Sequence, residues 1–161
     1  MDQHTRNGAL FTDLVLEVFR LNGQFLSAGD GLVADIGLTS ARWQVLGALY
    51  YAGAPQTVSI LARSMGLTRQ TVQRTANDLA ASGLIAFRAN PAHRRAQLIL
   101  FTPQGRSVYA AASARQTPWA NAVAAGFDPE EIAQTLGCLV AIRKKLDLVQ
   151  GDAHGPEPKG G

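Results

Sequence analysis

The sequence predicts a mainly α-helical fold with one small β-hairpin, and three observations support that expectation. Apolar residues recur at helical spacing toward both ends of the chain. Between them lie two short helical repeats separated by a glycine, and two strand-like runs with a basic tip follow that pair at once. The expected organisation of the 161 residues is one domain. Helical regions at 8–36 and 103–149 flank a compact lobe at 38–102, and the polar, Gly- and Pro-containing stretch 150–161 has the composition of a disordered tail.

The N-terminal helix is set by Leu10, Leu14, Val18, Leu21, Phe25, Ala28, Leu32 and Ile36, and Phe11, Val15, Phe19 and Leu26 widen its apolar stripe. So broad a stripe needs a partner surface beyond a monomer's own core. Gly23, Gly29 and Gly31 allow a kink or a close approach to another backbone. Thr39 then caps a second helix, with Trp43, Leu46, Gly47 and Tyr50 as its expected inner face and Gly53 to Pro55 as its stop.

The central pair reads Q-T-V-S-I-L-A-R-S-M-G-L-T-R-Q-T-V-Q-R-T-A-N-D-L-A from Gln56 to Ala80. Leu61, Ala62 and Met65 form the apolar side of the first helix, Gly66 supplies the positive φ of a tight turn, and Leu67, Val72, Ala76 and Leu79 continue the packed series into the second. Thr68 is its N-cap, because a threonine hydroxyl accepts from the unpaired N–H groups of a first turn. With 3.6 residues per turn, Arg69, Gln70, Gln73, Arg74 and Asn77 fall on the opposite, exposed side, beside Thr68 and Thr71. Amide and guanidinium groups are the ones that pair bidentately with adenine and guanine edges in the major groove. This helix-turn-helix pattern therefore points to duplex DNA, the alternative being an ordinary solvated face.

The hairpin supports the same reading. Leu84 to Arg88 and Ala96 to Phe101 have strand composition, and Asn90 and Pro91 suit the first two positions of the turn in N-P-A-H-R-R. Its tip presents His93, Arg94 and Arg95 as candidate contacts to a flanking phosphate or to a narrow minor groove, whose negative potential attracts arginine. Thr102 followed by Pro103 opens another helix through Val108, Ala111, Ala112, Trp119 and Val123. Asp128, Pro129 and Glu131 form a capping-box pattern for the last helix, which carries Ile132, Leu136, Leu139, Ile142, Leu146 and Val149.

Charge is concentrated where the motifs are. The segment from Thr57 to Arg106 holds seven arginines against Asp78 alone, so it is +6, while the rest of this +3 chain is −3. Such asymmetry implies one docking surface for a polyanion. No run of about 18 apolar residues could span a bilayer, and the N-terminus lacks the pattern of a signal peptide. A cytoplasmic location is expected, and the lone Cys138 fits a reducing compartment.

Several residues together resemble the MarR family of winged-helix transcription regulators. The resemblance is carried by L-T-S-A-R-W-Q-V-L at Leu38 to Leu46, T-V-S-I-L-A at Thr57 to Ala62, and the run from Thr68 to Leu84. The tip N-P-A-H-R-R-A and F-T-P-Q-G at Phe101 to Gly105 complete it. It covers roughly Leu10 to Val149 and departs from the family's common D-x-R-D-R-R tip at Asn90, Ala92 and His93, while Arg94 and Arg95 remain. It implies a homodimer whose first and last two helices interlock to hold two lobes over a pseudo-palindromic operator. It also implies repression relieved by a small aromatic or anionic effector in a cleft between the dimer helices and the DNA lobe, for which Phe25, Arg42 and Trp43 are the candidate lining residues.

Competing readings have weaker support. The G-D-G-L-V-A run at Gly29 to Ala34 matches a dinucleotide pattern, but the residues before it read as helix and not as strand. His4, His93 and His154 are too scattered to build a metal cluster or a triad with Cys138, so neither an enzyme, a cofactor nor a metal is expected. Cys138 reads as a small core hydrophobe, not a redox sensor, because no cation neighbours it to lower its pKa. A winged-helix module for protein contacts, without specific DNA readout, is the remaining alternative. It leaves the arginine- and amide-rich faces unexplained.

Overall fold

The computed structural model describes residues 4–153. Helix α1 spans Arg6–Val33 and runs through a short 3-10 turn, Ala34–Ile36, toward α2 at Ser40–Ala52. Then come β1 (Gln56–Thr57), α3 (Val58–Met65), α4 (Arg69–Ala81), β2 (Ile85–Arg88), β3 (Leu98–Phe101), α5 (Pro103–Ala124) and α6 (Pro129–Ala153). The chain divides into two compact units, Met1–Trp119 and Ala120–Gly161. The division falls inside α5 beside Pro118, whose ring nitrogen cannot donate the helical hydrogen bond.

In the first unit, the core is built where α2, α3, α4 and the sheet meet. Val33, Val45, Leu46, Leu61, Val72, Ala76, Leu79, Ile99 and Ala112 are essentially sealed from solvent. Burying such aliphatic side chains contributes roughly 1.5–3 kcal/mol apiece. The three faces expected of the central helices are largely as observed, with two differences. On α2 the inner residues are Val45, Leu46 and Leu49; Trp43 is half-buried and Tyr50 is 55% exposed. Leu67 lies exposed in the turn and is not packed inside.

Local capping explains the boundaries. Gly66 ends α3 at φ 65°, and the Thr68 hydroxyl accepts from Thr71 N–H at 3.1 Å to start α4. Thr39 caps α2 by accepting from Arg42 N–H. Thr102 caps α5 through Gly105 N–H at 3.0 Å. Asp128 accepts from Glu130 N–H at 2.9 Å at the start of α6. No reciprocal bond from Glu131 completes the expected capping box among the described residues.

The sheet has three strands in the order β1-β3-β2, all antiparallel, with Phe87 opposite Ile99 and Gln56 opposite the same residue on the other side. A hairpin alone was expected. Two residues ahead of α3 are enough to pair with Leu98 and Ile99, too short a segment to show a strand period. The wing tip folds as two successive turns: His93 N–H donates to the Asn90 carbonyl at 3.2 Å, and Ala96 N–H to the His93 carbonyl at 3.1 Å.

α1 is continuous across Gly23, Gly29 and Gly31. Gly29 provides close approach: a Cβ there would collide with Ser40 Oγ. Ser40 is held against α1 by two bonds, its N–H to Asp30 Oδ1 at 2.6 Å and its hydroxyl to the Leu26 carbonyl at 2.7 Å. The G-D-G-L-V-A run thus lies within and just past a helix, without the strand-to-helix turn a dinucleotide site needs.

In the second unit, α6 reaches Ala153, past the start of the expected tail, whose remainder lies outside the described residues with His154. Among the described residues of this unit none is buried, and Phe127, Leu136, Leu148 and Val149 are each more than 60% exposed. Cys138 is exposed too, which corrects its reading as a core residue. Val140 and Ile142 are half-buried, and the exposed apolar side chains of α6 are available to a partner.

Candidate nucleic-acid interface

Helix α4 turns Val72, Ala76 and Leu79 into the core and leaves Arg69, Gln70, Thr71, Gln73, Arg74 and Asn77 exposed, with Thr68 at its start. Two of these are partly spent on structure: Thr68 Oγ1 lies 2.8 Å from Thr71 Oγ1 in the capping arrangement. Gln73 and Asn77, one turn apart, are joined by a bond from Gln73 Nε2 to Asn77 Oδ1 at 2.9 Å. His93, Arg94 and Arg95 are exposed at the wing tip. Among the described residues the ion pairs are Arg20–Glu17 and Arg115–Asp35. The arginines of α4 and the wing make no ion pair among the described residues.

Arg42 does not join Phe25 and Trp43. Its guanidinium donates to the Gly37 carbonyl at 2.9 Å and to Ser82 Oγ at 2.6 Å, stapling the start of α2 to the end of α4. It borders a groove of about 470 Å³ together with Gln70, Arg74 and Asp78. Its Nε is buried without a hydrogen-bond partner. The side chain of Arg42 turns toward α4 and lines this groove, apart from the one that Phe25 and Trp43 line.

Phe25 and Trp43 do share a cleft. It occupies about 400 Å³ between α1, α2 and α5, and Trp119 completes it, edge-on to Phe25 with ring centroids 6.4 Å apart. Trp43 also borders a larger cavity of about 940 Å³, lined by Tyr50, Tyr51, Phe101, Arg106 and Tyr109. There Tyr50 and Tyr109 lie 4.7 Å apart between centroids, and the Arg106 guanidinium sits 5.4 Å over the Phe101 ring. Burial pushes the Tyr109 phenol above its ordinary pKa, and neighbouring Tyr51 adds to the effect. Sequence reasoning missed this cavity, although the adjacent pair Tyr50 and Tyr51 just before the Gly53 stop was a usable signal.

Comparison with known proteins decides the family. The MarR family model matches residues 36–96, the stretch that holds α2, the helix-turn-helix and the wing. An uncharacterised protein of Mycobacterium tuberculosis is 40% identical over 122 residues, covering 76% of this chain and 84% of the relative. The chain belongs to the MarR family. Solved MarR structures share its fold. A mutant of the E. coli MarR complexed with operator DNA superposes with a TM-score of 0.73 at 17% identity, covering 81% of this chain and 93% of that one. CouR from Rhodococcus jostii, bound to p-coumaroyl-CoA, gives 0.72 at 24% identity, covering 81% and 91%. As a MarR protein the chain is a winged-helix, DNA-binding transcription regulator and not an enzyme.

Proposed function

We propose that this MarR regulator is a sequence-specific repressor that binds a pseudo-palindromic operator as a homodimer and leaves it when a small aromatic or anionic effector binds. The observation that carries the reading is the face of α4: five amide or guanidinium side chains, all exposed, set against a fully buried opposite face. Gln73, Arg74 and Asn77 read base edges, Arg69, Gln70, Thr68 and Thr71 border the backbone, and His93, Arg94 and Arg95 reach a flanking phosphate or the minor groove. Repression is favoured over activation because occluding a promoter needs no polymerase-contacting surface. Acting on the cell's DNA places the protein in the cytoplasm.

Homodimerisation is supported by the apolar side chains left exposed on α1 and α6, among them Leu10, Phe19 and Leu136. Two related winged lobes then read half-sites about one DNA turn, roughly 34 Å, apart. The effector reading is supported by the aromatic cleft and cavity around Trp43 and by the p-coumaroyl-CoA bound to CouR. Release requires the effector to prefer the DNA-incompetent dimer.

The test is binding to DNA upstream of the protein's own gene, against an unrelated fragment of equal length, over a series of salt concentrations. Selective binding of two protomers that weakens steeply with salt is expected, because phosphate contacts release counterions. Weak, equal binding to both fragments, together with no enriched sequence in a selection from random duplexes, would refute specific readout and leave the winged helix as a protein-contact module.

A further inference from the structure

We propose that Gln73 and Asn77 read DNA as one hydrogen-bonded unit with a fixed polarity. The inference rests on the reading of α4 as the recognition helix and goes beyond it by assigning base types. The two side chains stand four residues apart on the exposed face, where side chains one turn apart meet, and Gln73 Nε2 donates to Asn77 Oδ1 at 2.9 Å. That bond leaves unused the Gln73 Oε1 acceptor, one Gln73 N–H, and the Asn77 Nδ2 donors. An amide has one carbonyl oxygen and one NH₂ group, so committing one end fixes what the other can offer.

Gln73 consequently presents an acceptor beside a donor, the complement of adenine, whose major-groove edge offers the N6 amino group and the N7 acceptor. The Asn77 carbonyl accepts from Gln73 through one of its two lone pairs, which turns that oxygen toward Gln73 and leaves the Nδ2 donors as the groups Asn77 offers to a base. The edge that matches donors alone is guanine, with O6 and N7 both acceptors, while the cytosine amino group is the worst match. Four residues of helix rise about 6 Å, against about 3.4 Å per base along a strand, so the two readings fall on base pairs one or two steps apart. Asn77 therefore has a second role, as the positioning residue for Gln73. Without it the Gln73 amide is free to turn over, and its adenine preference is lost together with the guanine preference of Asn77.

The experiment is a selection from randomised duplexes with the full chain and three variants, Gln73→Ala, Asn77→Ala and Asn77→Asp, scored as base preference at each position. These side chains are exposed, so folding is not at stake. The wild type should prefer adenine at one position and guanine at a neighbouring one, each by about tenfold or more. Gln73→Ala should relax the adenine position. Asn77→Ala should relax both. Asn77→Asp keeps an acceptor for Gln73 but has no donors, so it should retain adenine and lose guanine. Loss of guanine alone in Asn77→Ala, or the reverse assignment of the two bases, would overturn the inference while leaving α4 as the reader. No enriched sequence for the wild type would instead sink the reading of α4 itself.

Discussion

Gln73 and Arg74 differ from Arg95 in what a measurement on each can report. Groups on α4 that meet base edges discriminate among sequences, whereas a wing arginine that meets phosphate strengthens all of them alike. Gln73→Ala or Arg74→Ala should each cost roughly 1–3 kcal/mol on the selected site and relax preference at particular bases. Arg95→Ala should weaken selected and random DNA equally, in titrations at one salt concentration. Equal losses on both DNAs from Gln73→Ala would remove base readout from that residue. A second residue-level prediction concerns pH. The Arg115 guanidinium grips Asp35 through two bonds, from Nε at 3.2 Å and from the terminal nitrogen at 2.6 Å. Hydrogen bonding to Arg115 thereby holds the Asp35 carboxyl below its usual 3.8. A depressed carboxylate contributes stability at pH above its unfolded value, and that contribution fades as pH falls through the lower, folded one. Melting temperatures of wild type and Asp35→Asn should therefore differ most near neutrality and converge below the ordinary carboxylate range. A constant gap across the range would assign the effect to packing. Both lessons bear on what a sequence discloses. The exposed side of α4 was legible because helical period alone divides it from Val72, Ala76 and Leu79. The place of Arg42 was not, since its partner Ser82 lies 40 residues away and only tertiary packing brings the two together.

Elements here are bounded by local chemistry and joined by close approach. Thr39, Thr68 and Thr102 each cap the helix they precede, and all three starts can be read from one hydroxyl and its following residues. The strand β1 could not be read, because a two-residue strand exists only through its partner β3. The fit of α5 against the sheet could not be read either. At its first turn Gly105 is buried, and a Cβ there would run into the Leu84 carbonyl oxygen, which also accepts from Thr102 N–H at 3.2 Å. Backbone cannot step aside as a side-chain tip can, so Gly105→Ala should destabilise the fold by about 1–3 kcal/mol or more, in the manner of overpacking. Gly31→Ala is the control. It lies in α1 with open space around its Cβ position, and alanine is the better helix former by up to about 1 kcal/mol, so thermal unfolding should show a neutral or stabilised protein. Comparable losses from both substitutions would mean that general helix properties, not contact with Leu84, govern position 105.

At the scale of the molecule, the basic segment, the α4 face and the wing belong to one folded unit, whereas the second unit leaves Phe127, Leu136 and Leu148 among its exposed side chains. The fold class and the exposed amide and guanidinium face of α4 followed from periodicity and charge. The aromatic cavity around Tyr50 and Tyr109 did not, because it forms between residues of α2 and α5 that sequence distance separates. The unburied face of α6 also bears on the protein's lifetime. In the homodimer proposed above, a chain newly made and without its mate holds a 25-residue helix with Leu136, Leu148 and Val149 exposed, and helices with little packing open readily. Proteases act on such opened segments. Unmated copies would then be cleared faster than mated ones, so the cell's supply of this regulator would limit itself through turnover, independently of any control over its synthesis.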